Sequence, residues 1–222
     1  MFIGHYGVSF AAKRCSPRTS LGTLFFAVQL LDVLFAIFVL AGVEKLRIVP
    51  GFTEYNPYDL YYMPYSHSLA GALVWSAAAG FLVLAVGGQG AALWIALAVF
   101  SHFLLDVPMH TRDLPILGND SMKIGLGLWQ HRNVALAAEL VTLGIGLWIW
   151  RHATTFKPWG RTRTFAFAGL LFAVAVATPF LPPPRDGTAF AWQALTGYVV
   201  LAALAGWLDR GATTTNDPRS AE

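Results

Sequence analysis

Apolar residues run along this chain in long, nearly unbroken stretches. They show neither the strict alternation of half-buried strands nor the polar faces of helices in water. Six such runs stand out: Leu21–Gly42, Ser68–Val86, Ala91–Val107, Val134–Trp150, Phe165–Leu181 and Ala189–Trp207. Each is close to the roughly 17–25 residues that carry a helix across a bilayer. Helix is the required form, because unpaired backbone in lipid is too costly. The pattern predicts an all-α polytopic membrane bundle of about six transmembrane helices, forming one domain over residues 1–210. A short apolar segment ending at Lys13-Arg14 precedes the first run, too short to span and readable as an amphipathic or half-inserted helix. Gly87-Gly88-Gln89-Gly90 signals a tight turn between the second and third runs, and Pro182-Pro183-Pro184 ends the fifth. Small residues from Ser76 to Gly80 suit close helix packing. The tail from Gly211 to Glu222 is polar and expected to be disordered. The first residues lack the basic start and cleavage site of a secretory signal.

Composition agrees and narrows the function classes. Charged residues are 12% of the chain, against roughly 25% in a soluble domain, and mean hydropathy is +0.55. An ordinary soluble enzyme, a disordered chain and a nucleic-acid module are all excluded. The net charge of +3 then reports topology. Lys13, Arg14 and Arg18 precede the first run, and Arg151, Lys157, Arg161 and Arg163 fill the loop between the fourth and fifth. The positive-inside rule places both segments, and both termini, in the cytoplasm, with the chain multi-pass in the cytoplasmic membrane. The tyrosine-rich stretch Val43–Tyr65 lies on the opposite side and reads first as an aromatic belt. The single cysteine, Cys15, excludes an intramolecular disulfide and a thiolate cluster, so any metal must be held by His, Asp and Glu.

The informative residues are ionisable groups inside apolar runs, each costing about 2.5–3.5 kcal/mol to insert when charged. Asp32, His102, Asp106 and Glu139 fall here. Counted along their helices, Asp32, His102 and Glu139 reach a similar depth in the outer half of the membrane. His102 and Asp106 are four residues apart, on one helical face. That suits two ligands of one metal, or alternatively a hydrogen-bonded pair that locks helices together. His67 sits at the mouth of the second run, where Ser66 could cap the helix. His110 follows Pro108 and falls opposite His67 if the second and third runs form a hairpin about Gly88. His5 could reach toward Asp32, or lie on the surface. Gln29 shares a face with Asp32 and could orient it. Arg112 is expected to pair with Asp113 on the outer surface, or alternatively to meet an anionic substrate. His152, among basic residues, falls outside the site.

His5, Asp32, Ser66-His67-Ser68 and Ser101-His102-Phe103-Leu104-Leu105-Asp106 together resemble the YdjM-like family of membrane-bound metal-dependent hydrolases. The order His, Asp, His, His-x-x-x-Asp is also similar to the metal ligands of bacterial zinc-dependent phospholipases C. The resemblance covers roughly residues 1–140. It departs from the family at Met63-Pro64-Tyr65-Ser66 and at Asp32, where a second acid is missing. It implies a divalent metal, Zn²⁺ first with Mn²⁺ or Fe²⁺ as alternatives, held by His5, Asp32, His67, His102, Asp106 and His110. Asp106 and Glu139 are the catalytic candidates, Glu139 as general base or as an acceptor behind the ligands. The function expected is an integral-membrane hydrolase acting on a lipid or lipid-linked phosphoester, with membrane lipid as partner and no nucleic acid. Two alternatives stand beside it: an ion- or proton-coupled transporter, since intramembrane Asp, Glu and His also form proton relays, and a structural protein whose polar groups only join helices.

Overall fold

The computed structural model describes residues 2–214. Eight helices dominate: α1 (His5–Cys15), α2 (Leu21–Val28), α3 (Leu30–Leu40), α4 (Leu69–Ala85), α5 (Gln89–Met109), α6 (Arg132–His152), α7 (Pro158–Ala177) and α8 (Gly187–Asp209). Three two-stranded antiparallel ribbons serve as clasps: β1 (Lys45–Ile48) with β2 (Tyr58–Tyr62), β3 (Leu114–Pro115) with β4 (Lys123–Ile124), and β5 (Thr154–Phe156) with β6 (Ala212–Thr214). The all-helical membrane architecture is as the apolar runs predict. The span count is lower. By length and composition four helices, α5 to α8, can cross a membrane, and α2 with α3 makes a fifth if the bent pair is one span. α4, at 17 residues, is shorter. Ala212–Thr214 of the expected disordered tail pairs with Thr154–Phe156, and residues 215–222 lie outside the described residues.

The first run is not one straight helix. It breaks at Gln29, whose φ of −100° and ψ of 6° leave the helical region, and α2 and α3 meet at 55°. A helix end leaves carbonyls without intrahelical partners, and the Val28 carbonyl is turned inward by this break. α4 and α5 form the hairpin expected about Gly87-Gly88, with Gly87 at φ +86°. α4 buries Ala72, Ser76 and Gly80, so the small-residue stretch does face a neighbour. A methyl on Gly80 would stand 3.1 Å from the Ala96 side chain.

α1 is no surface segment. His5, Tyr6, Gly7, Ser9, Phe10, Ala12 and Lys13 are all buried. Gly7 and Gly146 let it lie directly on α6: a Cβ on Gly7 would fall 2.2 Å from the Thr142 carbonyl oxygen. Tyr6 stacks on Phe25 at 4.2 Å, and Phe10 packs against Phe25 and Trp150. Lys13 ends the helix with its ammonium donating to Asp209 at 2.7 Å and to the Pro17 and Thr19 carbonyls, so its buried charge is paired. Arg163 lies over the rings of Trp159 and Trp207 at 4.6 and 4.2 Å. Lys13 and Arg163 thus gather at one end of the bundle, around the end of α8, and His5 sits one helix length away from it.

Candidate metal centre

Separate elements deliver polar side chains to one level. α1 brings His5, α3 Asp32, the turn before α4 His67, α5 His102 and Asp106, and the residue closing α5 is His110. The geometry around each imidazole fixes where its hydrogen goes. His102 Nδ1 lies 2.7 Å from the Val28 carbonyl that the Gln29 break exposes. A carbonyl only accepts, so Nδ1–H donates and Nε2 points the other way. His67 Nδ1 is 2.7 Å from Ser66 Oγ. The Ser66 hydroxyl donates to the buried Glu44 carboxylate, which also accepts from the Tyr65 and Ser66 amides at 2.8 and 2.9 Å. With its one hydrogen given to Glu44, Ser66 accepts from His67 Nδ1–H. His110 Nδ1–H donates to Asp113 at 2.9 Å, and Thr111 holds the second Asp113 oxygen at 3.0 Å.

Three imidazoles are thereby locked with Nε2 facing inward, toward two carboxylates. His102 Nε2 is 3.1 Å from Asp106 Oδ2 and 3.5 Å from Asp32 Oδ1. His67 Nε2 is 3.3 Å from Asp32 Oδ1 and 3.8 Å from Asp106 Oδ2, and His110 Nε2 is 3.6 Å from Asp106 Oδ2. His5 stacks on His102 at 3.9 Å; its Nε2–H donates to the His102 carbonyl oxygen at 3.3 Å and lies 3.5 Å from Asp106 Oδ1, and its buried Nδ1 makes no hydrogen bond. Nitrogen lone pairs set against carboxylate oxygens repel unless a cation or protons lie between them. His102 Nε2 is fully buried and makes no hydrogen bond, an orphan expected to have a reason. Ligand atoms of His5, His102 and Asp106 lie within 4.8 Å of one another, as do those of Asp32, His67 and His102. This His/Asp group could hold a metal ion, and outward carboxylate, hydroxyl and carbonyl acceptors of this kind orient metal-binding histidines.

All six residues expected as ligands are therefore brought together, and His67 and His110 face each other with rings 6.3 Å apart. Glu139 stands behind them. Its Oε1 accepts from the Phe2 amide at 2.8 Å and from Tyr55 Oη at 3.3 Å, and its Oε2 accepts from the Gly4 amide at 2.7 Å. Burial first, then the Glu139 charge and hydrogen bond, push the Tyr55 phenol well above its ordinary value, so it remains a donor.

Several expectations are corrected. Gln29 does not orient Asp32; its amide donates to the Phe2 carbonyl at 2.9 Å. Tyr198 of α8 takes that place, its hydroxyl donating to Asp32 Oδ2 at 3.0 Å. Asp113 turns to His110 rather than to Arg112, because the chain folds back within three residues. Ser66 is not the helix cap; Ser68 is, accepting from the Gly71 amide at 2.9 Å. Tyr55 and Tyr58 leave the expected belt and turn inward, to the wall of a cavity. His152, by contrast, is outside the site as expected: it sits at the far end of α6, its Nδ1–H donating to the Trp148 carbonyl. Tyr198, Glu44 and Asp113 are the participants the sequence reading misses.

A cavity of about 470 Å³ opens onto this cluster. Asp32, His67, Asp106, His110 and Glu139 form its polar end, and α7 and α8 supply apolar walls. No family model, no curated protein and no solved structure matches the chain.

Proposed function

We propose that the protein is an integral-membrane, metal-dependent hydrolase acting on a lipid or lipid-linked phosphoester. One observation carries the reading: three imidazoles have their Nδ1 hydrogens tied outward, so their Nε2 atoms converge on Asp32 and Asp106. Nitrogen and oxygen donors without thiolate suit Zn²⁺, with Mn²⁺ or Fe²⁺ as alternatives.

His5, Asp32, His67, His102, Asp106 and His110 would hold the metal. When bound, such an ion lowers the pKa of a coordinated water and polarises a phosphoryl oxygen. The chain's own residues do the rest. Tyr198 holds one oxygen of Asp32 and leaves the other to the imidazoles. Glu44, Ser66, Asp113 and the Val28 carbonyl fix the ring orientations. We assign Glu139 the part of an acceptor behind the ligands: both its oxygens are engaged by the backbone of residues 2 and 4, which fixes the start of α1 and hence His5. The apolar cavity walls keep water sparse, so charge interactions inside are stronger than in bulk. The basic end around Lys13 and Arg163 lies opposite the cluster. With the positive-inside rule, this supports a cytoplasmic-membrane protein with both termini inside and its site toward the outer face.

The test is elemental analysis of the detergent-purified full chain before and after chelation, with thermal midpoints. Near-stoichiometric metal is expected, with a lower midpoint in chelator because a ligand of the folded state adds to its stability. His102→Ala should lose most of the metal, and His152→Ala none. Metal-free wild type that is equally stable in chelator would sink the reading.

A further inference from the structure

The cavity is far larger than a water-and-metal site requires, and most of it lies away from the histidines. Leu170, Val174, Thr178 and Leu181 of the α7 side face Gln193, Gly197, Leu201 and Leu204 of α8 across it. These two helices are fastened to each other at the basic end. There β5 pairs with β6, a Cβ on Gly160 would lie 2.3 Å from the Gly211 carbonyl oxygen, and Arg163 bridges Trp159 and Trp207. Toward the cluster the cavity takes the place of helix–helix packing. Its rim reaches the molecular surface, because the lining residues Leu170, Leu181 and Val200 are 44%, 62% and 49% exposed. On helices apolar and long enough to cross a membrane, that surface meets lipid, not water.

We propose that this cleft takes one hydrocarbon chain of a membrane lipid, entering sideways between α7 and α8, with the lipid's ester end at Asp32, His67, Asp106 and His110. The proposal rests on the hydrolase reading for the ester end and adds the route and the tail site. Eleven residues separate Leu170 from Leu181 and Gln193 from Leu204, so the walls run for about 16 Å along the helices. The cavity of about 470 Å³ takes in both this apolar stretch and the polar end, so an extended hydrocarbon chain lying along the walls would have its head at the cluster. The cleft is mostly apolar along the helices, where Thr178 and Gln193 are the polar wall residues, and most polar where it meets the cluster and the Asn56–Tyr58 loop. That gradient matches an amphiphile laid tail-first along the helices, and the hydrocarbon loses nothing on leaving the bilayer for walls of Leu and Val. Gly197 keeps the passage open: the nearest atom to a Cβ built there is the Phe2 ring at 4.0 Å. A larger side chain could therefore stand in the cavity without meeting backbone.

The full-length protein in lipid nanodiscs is irradiated with a long-chain alkyl phosphate carrying a diazirine at the chain end, and adducts are mapped by mass spectrometry. Adducts on Leu170, Val174, Leu201 and Leu204 are expected. An unlabelled long-chain alkyl phosphate should compete them away and a short-chain one should not. Gly197→Phe should cut them at least tenfold while keeping the wild-type thermal midpoint. Leu204→Trp, at the far end of the cleft, should instead shift competition toward shorter chains. Labelling spread equally over the lipid-facing Phe81, Leu82 and Trp148, or unchanged in Gly197→Phe, overturns the proposal. Chelated wild type is labelled in parallel. Cleft adducts in a protein that never binds metal leave the tail site standing and remove the hydrolase. Bound metal with no cleft adducts does the reverse.

Discussion

α1 to α6 and the pair α7–α8 solve opposite problems in the same membrane. In the first region buried polar groups are numerous and several are answered by specific partners: Glu44 by Ser66, Val28 by His102, Glu139 by Phe2 and Gly4. Helices there approach to backbone contact, as Gly7 does on α6. In the second region the buried faces of α7 and α8 are apolar but for Thr164 and Tyr198, and a cavity stands where two neighbouring helices would otherwise touch. The difference separates two tasks. Holding several like-charged or lone-pair-bearing groups within 4 Å demands a tightly determined frame. Admitting a flexible apolar chain demands space and no polar groups that would be stranded.

The sharpest way to break this contrast is one substitution made in both regions. Gly7→Ala forces a methyl to within 2.2 Å of the Thr142 carbonyl oxygen, and α1 must move off α6. Overpacking costs about 1–3 kcal/mol where side chains can shift, and backbone cannot, so the upper end or beyond is expected, with loss of His5 from the cluster. Gly169→Ala on α7 meets nothing within 4 Å and should be neutral or stabilise by up to about 1 kcal/mol through helix propensity. Thermal or denaturant unfolding of both variants decides it. Equal effects would mean that the two regions are packed alike.

A smaller effect sharpens the polar side of the comparison. Glu44→Gln keeps size and an acceptor oxygen but removes the charge that takes the Ser66 hydrogen, so the orientation of His67 loosens. Partners that orient metal ligands typically contribute about 10–100-fold to metal affinity. A loss in that range is expected by competition with a chelating dye, with little change in the thermal midpoint of the metal-free protein. No change in metal affinity would show that the chain Glu44–Ser66–His67 is only a loop anchor.

The same contrast explains what could be read from the sequence. Apolar runs gave the helices and the hairpin about Gly88, because bilayer length is a strong constraint on composition. His102 and Asp106 were legible from their spacing, and the other histidines from their positions at run ends. The break at Gln29 was not, since Leu, Val and Phe continue on both sides of it. Glu44 was hidden because its partner Ser66 is 22 residues away through a loop, and loops carry no period. Glu139 was legible because an acid in an apolar run is conspicuous, whereas the backbone amides that donate to it leave no mark in a sequence. The cleft between α7 and α8 was invisible for a related reason: leucine against lipid, leucine against protein and leucine against a substrate chain are written alike.

Tyr198 is the polar link from the second region into the first, and its loss should give the smallest effect. The Tyr198 hydroxyl donates to Asp32 Oδ2 at 3.0 Å, while His67 and His102 attend the other oxygen of the same carboxylate. Tyr198→Phe keeps the ring, which packs against Phe2 at 5.6 Å, so only the hydrogen bond is removed. Such a bond contributes about 0.5–1.5 kcal/mol net, which corresponds to at most about a tenfold loss of metal affinity by that range. Asp32 should stay in place, because His67 and His102 remain beside it. If α8 serves only as the wall of a tail site, metal content in Tyr198→Phe should match wild type within error and cleft labelling should persist. If metal content falls as far as it does in His102→Ala, α8 belongs to the polar frame, and the division of the molecule into a frame and a wall fails at that residue.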